Sequence, residues 1–415
     1  MRFSGFDDEW KSFKLSEISK RITRKNKSLE TDRPLTISAQ YGLVDQIEYF
    51  NKIVASKSLK GYYLLNKGEF AYNKSYSNGY PFGAVKRLDD YENGAISTLY
   101  ICFNTNDKMN SDLLKEYFET DKWHEEIYKI AVEGARNHGL LNVAVGDFFN
   151  TKHVLPTNNH EQEKIAKFLI EINTKIDLLE NKHKAYQDFK KYLMQKIFAQ
   201  ELRFADDENW VTVTIANIFD NITDYVAAGS FADIRKNVTY LKDPDYAQLI
   251  RTADLKSNFT NGDFVYVDKH AFEYLWRVNL DEPCIVLPNI GNIGEVYYIN
   301  PKELPYSNNA LAPNAILLKS NDNIKFKYYL LESPYFKNQL DIINEAGGRG
   351  KFNKTNLKKI KIKVPNNDLE KEKIAKCLSN VDNKLKLFNI QLIEMQEFKK
   401  GLLQQMFVSM RTMVS

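Results

Sequence analysis

Apolar residues recur at alternating steps of four and three in two stretches of the chain. The first stripe runs Ile165, Leu169, Ile172, Ile176, Leu179, His183, Tyr186, Lys190, Leu193 and Ile197, with eight of ten positions apolar. The second runs Ile374, Leu378, Val381, Leu385, Phe388, Leu392, Met395, Lys399, Leu402 and Met406, nine of ten. A 3.5-residue stripe kept over several heptads predicts a long helix that needs a partner along its whole length. Each stretch supplies the partner of the other, so the pattern predicts two long helices zipped as an antiparallel coiled coil. Pro156 and Pro365 precede them, and Asn159 and Asp368 are the expected N-caps. Glu161, Glu163, Glu370 and Glu372 load the first turns with acid, as the helix dipole favours. Lys190 and Lys399 fall at equivalent seam positions. Either their stems snorkel at a frayed end or they pin the register. His183 is read as a packed histidine.

The two stripes belong to a duplication. Residues 156–198 and 365–407 align without a gap at an offset of 209, with 18 of 43 positions identical. The echo reaches outward. Arg2-Phe3 followed by DDEW ending at Trp10 returns as Arg203-Phe204 followed by DDENW ending at Trp210, and Gly134-Ala135-Arg136 returns as Gly347-Gly348-Arg349. A period near 200 residues is too long for a solenoid unit and means two copies of one module.

Ahead of each helix the period changes. Strand-like runs occur at Pro34–Ser38, Ile96–Phe103, Gln248–Leu255, Phe264–Val267, Cys284–Leu287, Glu295–Ile299 and Ala315–Leu318, with helical runs at Ser111–Ile130 and Lys325–Ile343. The expected architecture is α/β (α+β): two similar globular domains carrying a twisted sheet, joined by two long helices with pseudo-twofold internal duplication. The boundaries fall at 1–155 for the first domain, 156–205 for the first long helix, 206–364 for the second domain and 365–415 for the second helix.

Composition narrows the class. The chain has 415 residues, 43% hydrophobic and 13% aromatic, which is ample for packed cores. A formal charge of +4 is too mild to prove a polyanionic partner, so any basic surface has to come from clustering. Three cysteines, Cys102, Cys284 and Cys377, lie far apart without a CxxC, which fits a reducing cytoplasm and neither a disulfide framework nor a zinc knuckle. The start MRFSGFDDEW lacks an apolar secretory core, and no window approaches 18 uninterrupted apolar residues, so neither export nor a membrane partner is expected.

Clusters do occur. Residues 20–27 hold five cations, among them Arg21, Arg24, Lys25 and Lys27, and residues 349–363 hold seven cations without an acid, among them Arg349, Lys351 and Lys354. Such runs give phosphate affinity that falls with salt, although each alone reads as a solvated face. The segment Asn73, Lys74, Ser75, Tyr76, Ser77, Asn78, Gly79, Tyr80 offers amides and aromatics at a tip, and Asn289 and Asn292 form a counterpart in the second copy. Amides pair with adenine edges and arginine with guanine. The competing reading of these loops is turn chemistry. Arg136 and Asn137 close the first domain and Arg349 the second, as nucleic-acid contacts or as loop salt bridges. Arg251 and Asp254 are read as a buried ion pair rather than a contact pair. There is no GxxxxGK[ST], GxGxxG, HExxH or GxSxG motif, no NPPY-type adenine pocket and no metal-ligand spacing among the histidines. The chain reads as a reader rather than a catalyst.

These features together resemble the DNA specificity (S) subunit of type I restriction-modification systems. The resemblance rests on the duplicated P-x-x-x-x-E-x-E-K-I-A at Pro156 and Pro365, on Trp10 and Trp210 at the module starts, and on the G-x-R at Gly134 and Gly347. It implies two target recognition domains, each reading one half of a bipartite site in double-stranded DNA, with paired helices as the ruler between half-sites. It also implies partners: two methyltransferase (modification) subunits and restriction subunits with translocase and nuclease activity. S-adenosylmethionine, ATP and Mg would then sit on those partners, with no cofactor or metal in this chain. The other readings are a coiled-coil scaffold with two ligand-binding lobes and, against the missing motifs, a self-sufficient adenine methyltransferase.

Overall fold

The computed structural model describes residues 2–52, 54–56, 58–131, 141–205, 209–346 and 351–407, apart from the side chains of 344–346. The chain divides into two compact units. One is Met1–Asn181 with Asn389–Ser415, and the other is Lys182–Phe388. Each unit therefore takes one half of each long helix, Asn159–Phe198 and Asp368–Met406.

In the first unit, strand Lys11–Lys14 pairs antiparallel with Lys152–Leu155 and closes the globular part where it meets the helix. One four-stranded sheet runs in the order Ser19–Ile22, Ile101–Thr105, Phe70–Asn73, Ala84–Arg87, and a second runs Gly42–Asp45, Pro34–Ser38, Asn93–Ile96, Tyr63–Asn66. All neighbours are antiparallel except Pro34–Ser38 with Asn93–Ile96. Phe70 and Phe103, stacked at 5.2 Å, and Tyr72 and Phe148, at 4.7 Å, fill the space between sheet and helices.

The second unit repeats this plan with little of the sequence. Val211–Thr214 pairs with Lys361–Val364, so residue 364 closes the second module as residue 155, 209 positions earlier, closes the first. Its four-stranded sheet runs Asn221–Asp224, Ala315–Lys319, Cys284–Pro288, Tyr297–Ile299. The second sheet keeps three strands, Tyr266–Val267, Ala247–Ile250 and Asn309–Leu311, again with one parallel pair. Where the first module has its fourth strand, the second has a single bridge, Asn279 to Ala310.

Several expected elements break where the backbone requires it. The run Ser111–Ile130 is two helices, Ser111–Tyr117 and His124–Ile130. Lys325–Ile343 divides into Ile324–Glu332 and Pro334–Ala346, because Ser333 takes an extended ψ of 147° ahead of Pro334. Ile96–Phe103 divides at a turn between Ile96 and Ile101, and Gln248–Leu255 turns into helix Thr252–Lys256 after Ile250. The helix caps sit one residue earlier than expected. Asn158 Oδ1 accepts from the N–H groups of His160 (3.0 Å) and Glu161 (3.3 Å), and Asn367 Oδ1 from Leu369 (2.8 Å).

The seam positions are buried or half-buried along both helices; towards the helix ends neighbours such as Ala166, Met194, Phe198 and Leu403 are buried against the modules as well. In the first unit Ile165, Leu169, Ile172 and Ile176 join Leu402 and Met406 in one core. In the second unit Tyr186 meets Phe388 at 5.1 Å, and Ile374, Leu378, Val381 and Leu385 join Leu193 and Ile197. Leu179 is buried as well. The pairing is antiparallel in each unit: Glu180 faces Gln396 in the first, and Lys190 faces Asp382 in the second.

His153 is 1% exposed, with Nδ1 3.1 Å from the Tyr117 hydroxyl and Nε2 2.8 Å from Thr151 Oγ1. Burial pushes its pKa from 6.5 down to about 4, against the pull of Glu126. The folded chain therefore holds His153 neutral where the unfolded chain protonates it. Stability from this group is complete above pH 6.5 and is lost as pH falls towards 4. Between pH 7 and 5 the expected loss is roughly 2 kcal/mol, read as a drop in the urea midpoint of the first unit. His153→Gln should flatten that dependence, and an equally steep slope in the variant would assign it elsewhere.

Candidate nucleic-acid interface

Two hairpins occupy equivalent places in the two modules. In the first, Phe70–Asn73 and Ala84–Arg87 carry the tip 74–83. Gly83 has φ +80°, and a Cβ there would sit 2.1 Å from the Asn73 carbonyl oxygen, so only glycine fits. Asn73 Oδ1 accepts from the Ser75 N–H at 3.0 Å, and the Lys74 carbonyl accepts from the Leu141 N–H at 2.9 Å. Tyr80 is an anchor. Its hydroxyl donates to Glu119 (3.1 Å) and receives a bond from Lys86 Nζ (3.3 Å), which also donates to Glu119 at 2.6 Å. Burial, then Glu119, pushes its phenol pKa up. Tyr76 and Asn78 are left exposed at the tip, with Lys74 half-buried.

In the second module Cys284–Pro288 and Tyr297–Ile299 carry residues 289–296. Asn289 is largely committed to structure: its N–H donates to the Asn314 carbonyl (3.1 Å), its Nδ2 to the Phe352 carbonyl (3.2 Å), and its carbonyl accepts from Phe352 N–H (3.1 Å). Asn292 belongs to the network around Glu295. Burial would raise that carboxyl's pKa, but Tyr297, Lys256 and Asn292 together hold it below the usual range.

The basic runs are partly spent on folding. Arg24 donates to Glu69 Oε2 at 2.8 Å and to the Leu64 carbonyl at 3.1 Å, while Glu69 also takes the Asn66 N–H. Lys25 Nζ donates to the Gly61 carbonyl and stands 4.1 Å over the Tyr63 ring. Arg21 and Lys27 are exposed. Lys354 is paired with Asp224 at 2.8 Å, and Lys351 is exposed beside Ile290. Arg251 and Asp254 form the expected pair, two-pronged at 3.0 and 2.7 Å on a fully buried carboxylate. Arg136, Asn137 and Arg349 lie outside the described residues.

The duplicated residues turn out to hold each module to its helix. Glu161, fully buried, takes Arg2 Nε and Nη2 at 2.6 and 2.8 Å and the Trp10 indole N–H at 3.2 Å. Glu370 takes Arg203 Nε and Nη2 at 2.8 and 3.0 Å and the Phe204 N–H at 3.3 Å. Trp10 packs on Phe407 and Trp210 on Phe198, both at 6.1 Å, and these phenylalanines are themselves 209 residues apart. Lys399 reaches the buried Glu116 at 3.1 Å, which also accepts from Asn173 at 2.7 Å. Lys190 reaches Asp382 at 2.7 Å, which accepts from Tyr329, also at 2.7 Å. Asn173 and Asp382 are equivalent positions, so the acid has moved from module to helix between copies while the three-way junction persists. Both lysines thus pin helix to module.

The sequence reading passed over the segment between Asp224 and Ala247. It is 22 residues long, against 11 between Ile22 and Pro34 in the first module. That length difference is the signal that marks it. Its helix Phe231–Asn237 lines a cavity of about 600 Å³ together with Asn289 and Ile290. No group of His, Cys, Asp and Glu among the described residues is arranged to hold a metal, and no described helix is long and apolar enough to cross a membrane.

Residues 207–395 match the family described as Type I restriction modification DNA specificity domain. The chain is also similar to the S subunit of the type I restriction-modification system from M. genitalium, at 16% identity and a TM-score of 0.57, over 99% of this chain and 100% of that one. A chain from a structural study of complex assembly and conformational transition of the type I R-M system matches at 13% identity and a TM-score of 0.53, over 97% of this chain and 98% of that one. Residues 207–395 thus match the type I restriction-modification DNA specificity family, and the whole chain shares the fold of these two similar structures.

Proposed function

We propose that the chain is the sequence-reading, non-catalytic subunit of a type I restriction-modification complex. Each module reads one half of a split, asymmetric DNA site, and the paired helices set the gap. The carrying observation is that one module occurs twice, each copy closed by the same strand pair and bound to its helix by the same arginine–glutamate clamp. Similar but non-identical readers on a duplicated frame call for two different half-sites.

Modification subunits are the partners this reading requires, and the helices carry matched surfaces for two of them. Leu178 and Leu387 are exposed apolar residues 209 positions apart, as are Phe189 and Phe398. These residues lie off the seam, where a lone helix pair gains nothing from them. Methyl transfer with S-adenosylmethionine, and ATP- and Mg-dependent translocation and cleavage, would then belong to partner subunits.

The test is a genome-wide map of methylated adenines with and without the gene. The expected outcome is a two-part motif with an unspecified middle, methylated only when the gene is present. A continuous motif, or an unchanged pattern, rejects the reading. A gel shift of duplex DNA that weakens steeply with salt separates it from the scaffold alternative.

A further inference from the structure

The cavity beside the second hairpin has the composition of a base-reading cleft. Its floor is rigid, because Asn289 is bonded to both Asn314 and Phe352. Its walls present exposed Arg235, Tyr240 and Asn314 next to exposed Phe231 and Ile290. Phe231, 78% exposed, shares this lining with Val226 and Ile290, which are exposed as well, so the apolar part of the wall is a patch rather than a lone residue. The local charge favours a polyanion. Asp224, the carboxylate in the lining, is already neutralised by Lys354, whereas Arg235, Lys236 and Lys351 make no ion pair among the described residues. A planar donor, an amide and an apolar surface side by side are what reading base edges and a thymine methyl in the major groove requires.

We infer that this cleft of the second module, through Arg235, Asn314 and Phe231, reads bases of one half-site in duplex DNA. The inference rests on the function proposed above and adds where the second half-site is read. The first module has half the chain length at this place. Its half-site must be read by other means, and the exposed Tyr76 and Asn78 at its hairpin tip are the matching groups.

The test is selection from random duplex DNA by the full chain, purified together with the modification subunits that accompany it. Arg235→Ala and Asn314→Ala are each expected to weaken binding roughly ten-fold and to relax preference at one or two positions of a single half-site. Phe231→Ala should remove a preference for thymine in the same half. Tyr76→Ala should act on the other half alone. All four side chains are exposed, so thermal melting should not move for Arg235→Ala, Phe231→Ala and Tyr76→Ala, while Asn314→Gly, which suits the φ of +73° at that position, is the control for backbone strain in Asn314→Ala. Variants that select the parental motif with parental affinity overturn the inference and leave the two-half-site reading intact. Variants that lose both half-sites together, or that lose only the modification subunits, also overturn it, the latter by making the cleft a protein dock. A parental chain that selects no split motif sinks the broader reading as well.

Discussion

Replacing Arg203 by alanine is expected to cost the second unit about 2–4 kcal/mol, because it strands a buried carboxylate. Glu370 is 1% exposed and Arg203 is its charge partner in a two-pronged contact. The figure lies below that for a fully enclosed pair because the arginine side chain keeps a quarter of its exposure. Burial pushes the Glu370 pKa up, and the Arg203 contacts with the Phe204 N–H more than offset this, so the carboxyl stays charged below its ordinary 4.5. The clamp therefore holds above that pH and weakens as pH falls through the folded value. Arg2→Ala should act likewise on the first unit through Glu161. The double replacement Arg203→Met with Glu370→Met should cost less than Arg203→Ala, since no charge is then left unpaired. Urea midpoints give the totals. Hydrogen exchange at Val211–Thr214 against Lys11–Lys14 shows which unit has loosened. Equal losses in single and double variants would mean that the clamp is packing, with no electrostatic share.

The clamps also mark what was legible in the chain. The duplication, the seam and the module ends could be read because they rest on local periodicity and on residues repeated at a fixed offset. Trp10 and Trp210, Arg2 and Arg203, and Glu161 and Glu370 stood out as repeats, but their joining did not. Arg2 meets Glu161 across 159 residues, and no local pattern encodes that distance. Glu161 and Glu370 were read as dipole partners, and only the fold shows them buried. Strands such as Ser19–Ile22 and Ala84–Arg87 were missed because they are four residues long and interrupted by charge. Arg24 and Lys354 show the limit for the interface. A basic run looks the same in sequence whether its cations face solvent or a carboxylate such as Glu69 or Asp224. The cleft of the second module is built from three separate segments, and its trace in sequence is an insertion between two strands.

Exchanging residues 206–364 for the corresponding module of another such chain is expected to replace one half of the recognised site and leave the other untouched. The strand pair Val211–Thr214 with Lys361–Val364 makes each module a closed insert whose ends lie next to one another, so its interior can change without disturbing the helix pair. Readers held this way are expected to act independently, so that their free energies add. The gap is a separate variable. Seven residues added to each long helix, after Asn181 and after Phe388, preserve the heptad seam and lengthen the rod by about 10 Å. Taken as a ruler along the duplex, that is roughly three base pairs of extra spacer with both half-sites unchanged. Four residues added to one helix alone would rotate its seam away from the partner and should cost stability instead. Methylation motifs of the three variants separate these effects. A module exchange that altered both half-sites, or a longer rod that left the spacer as it was, would show that recognition is not divided between readers and frame.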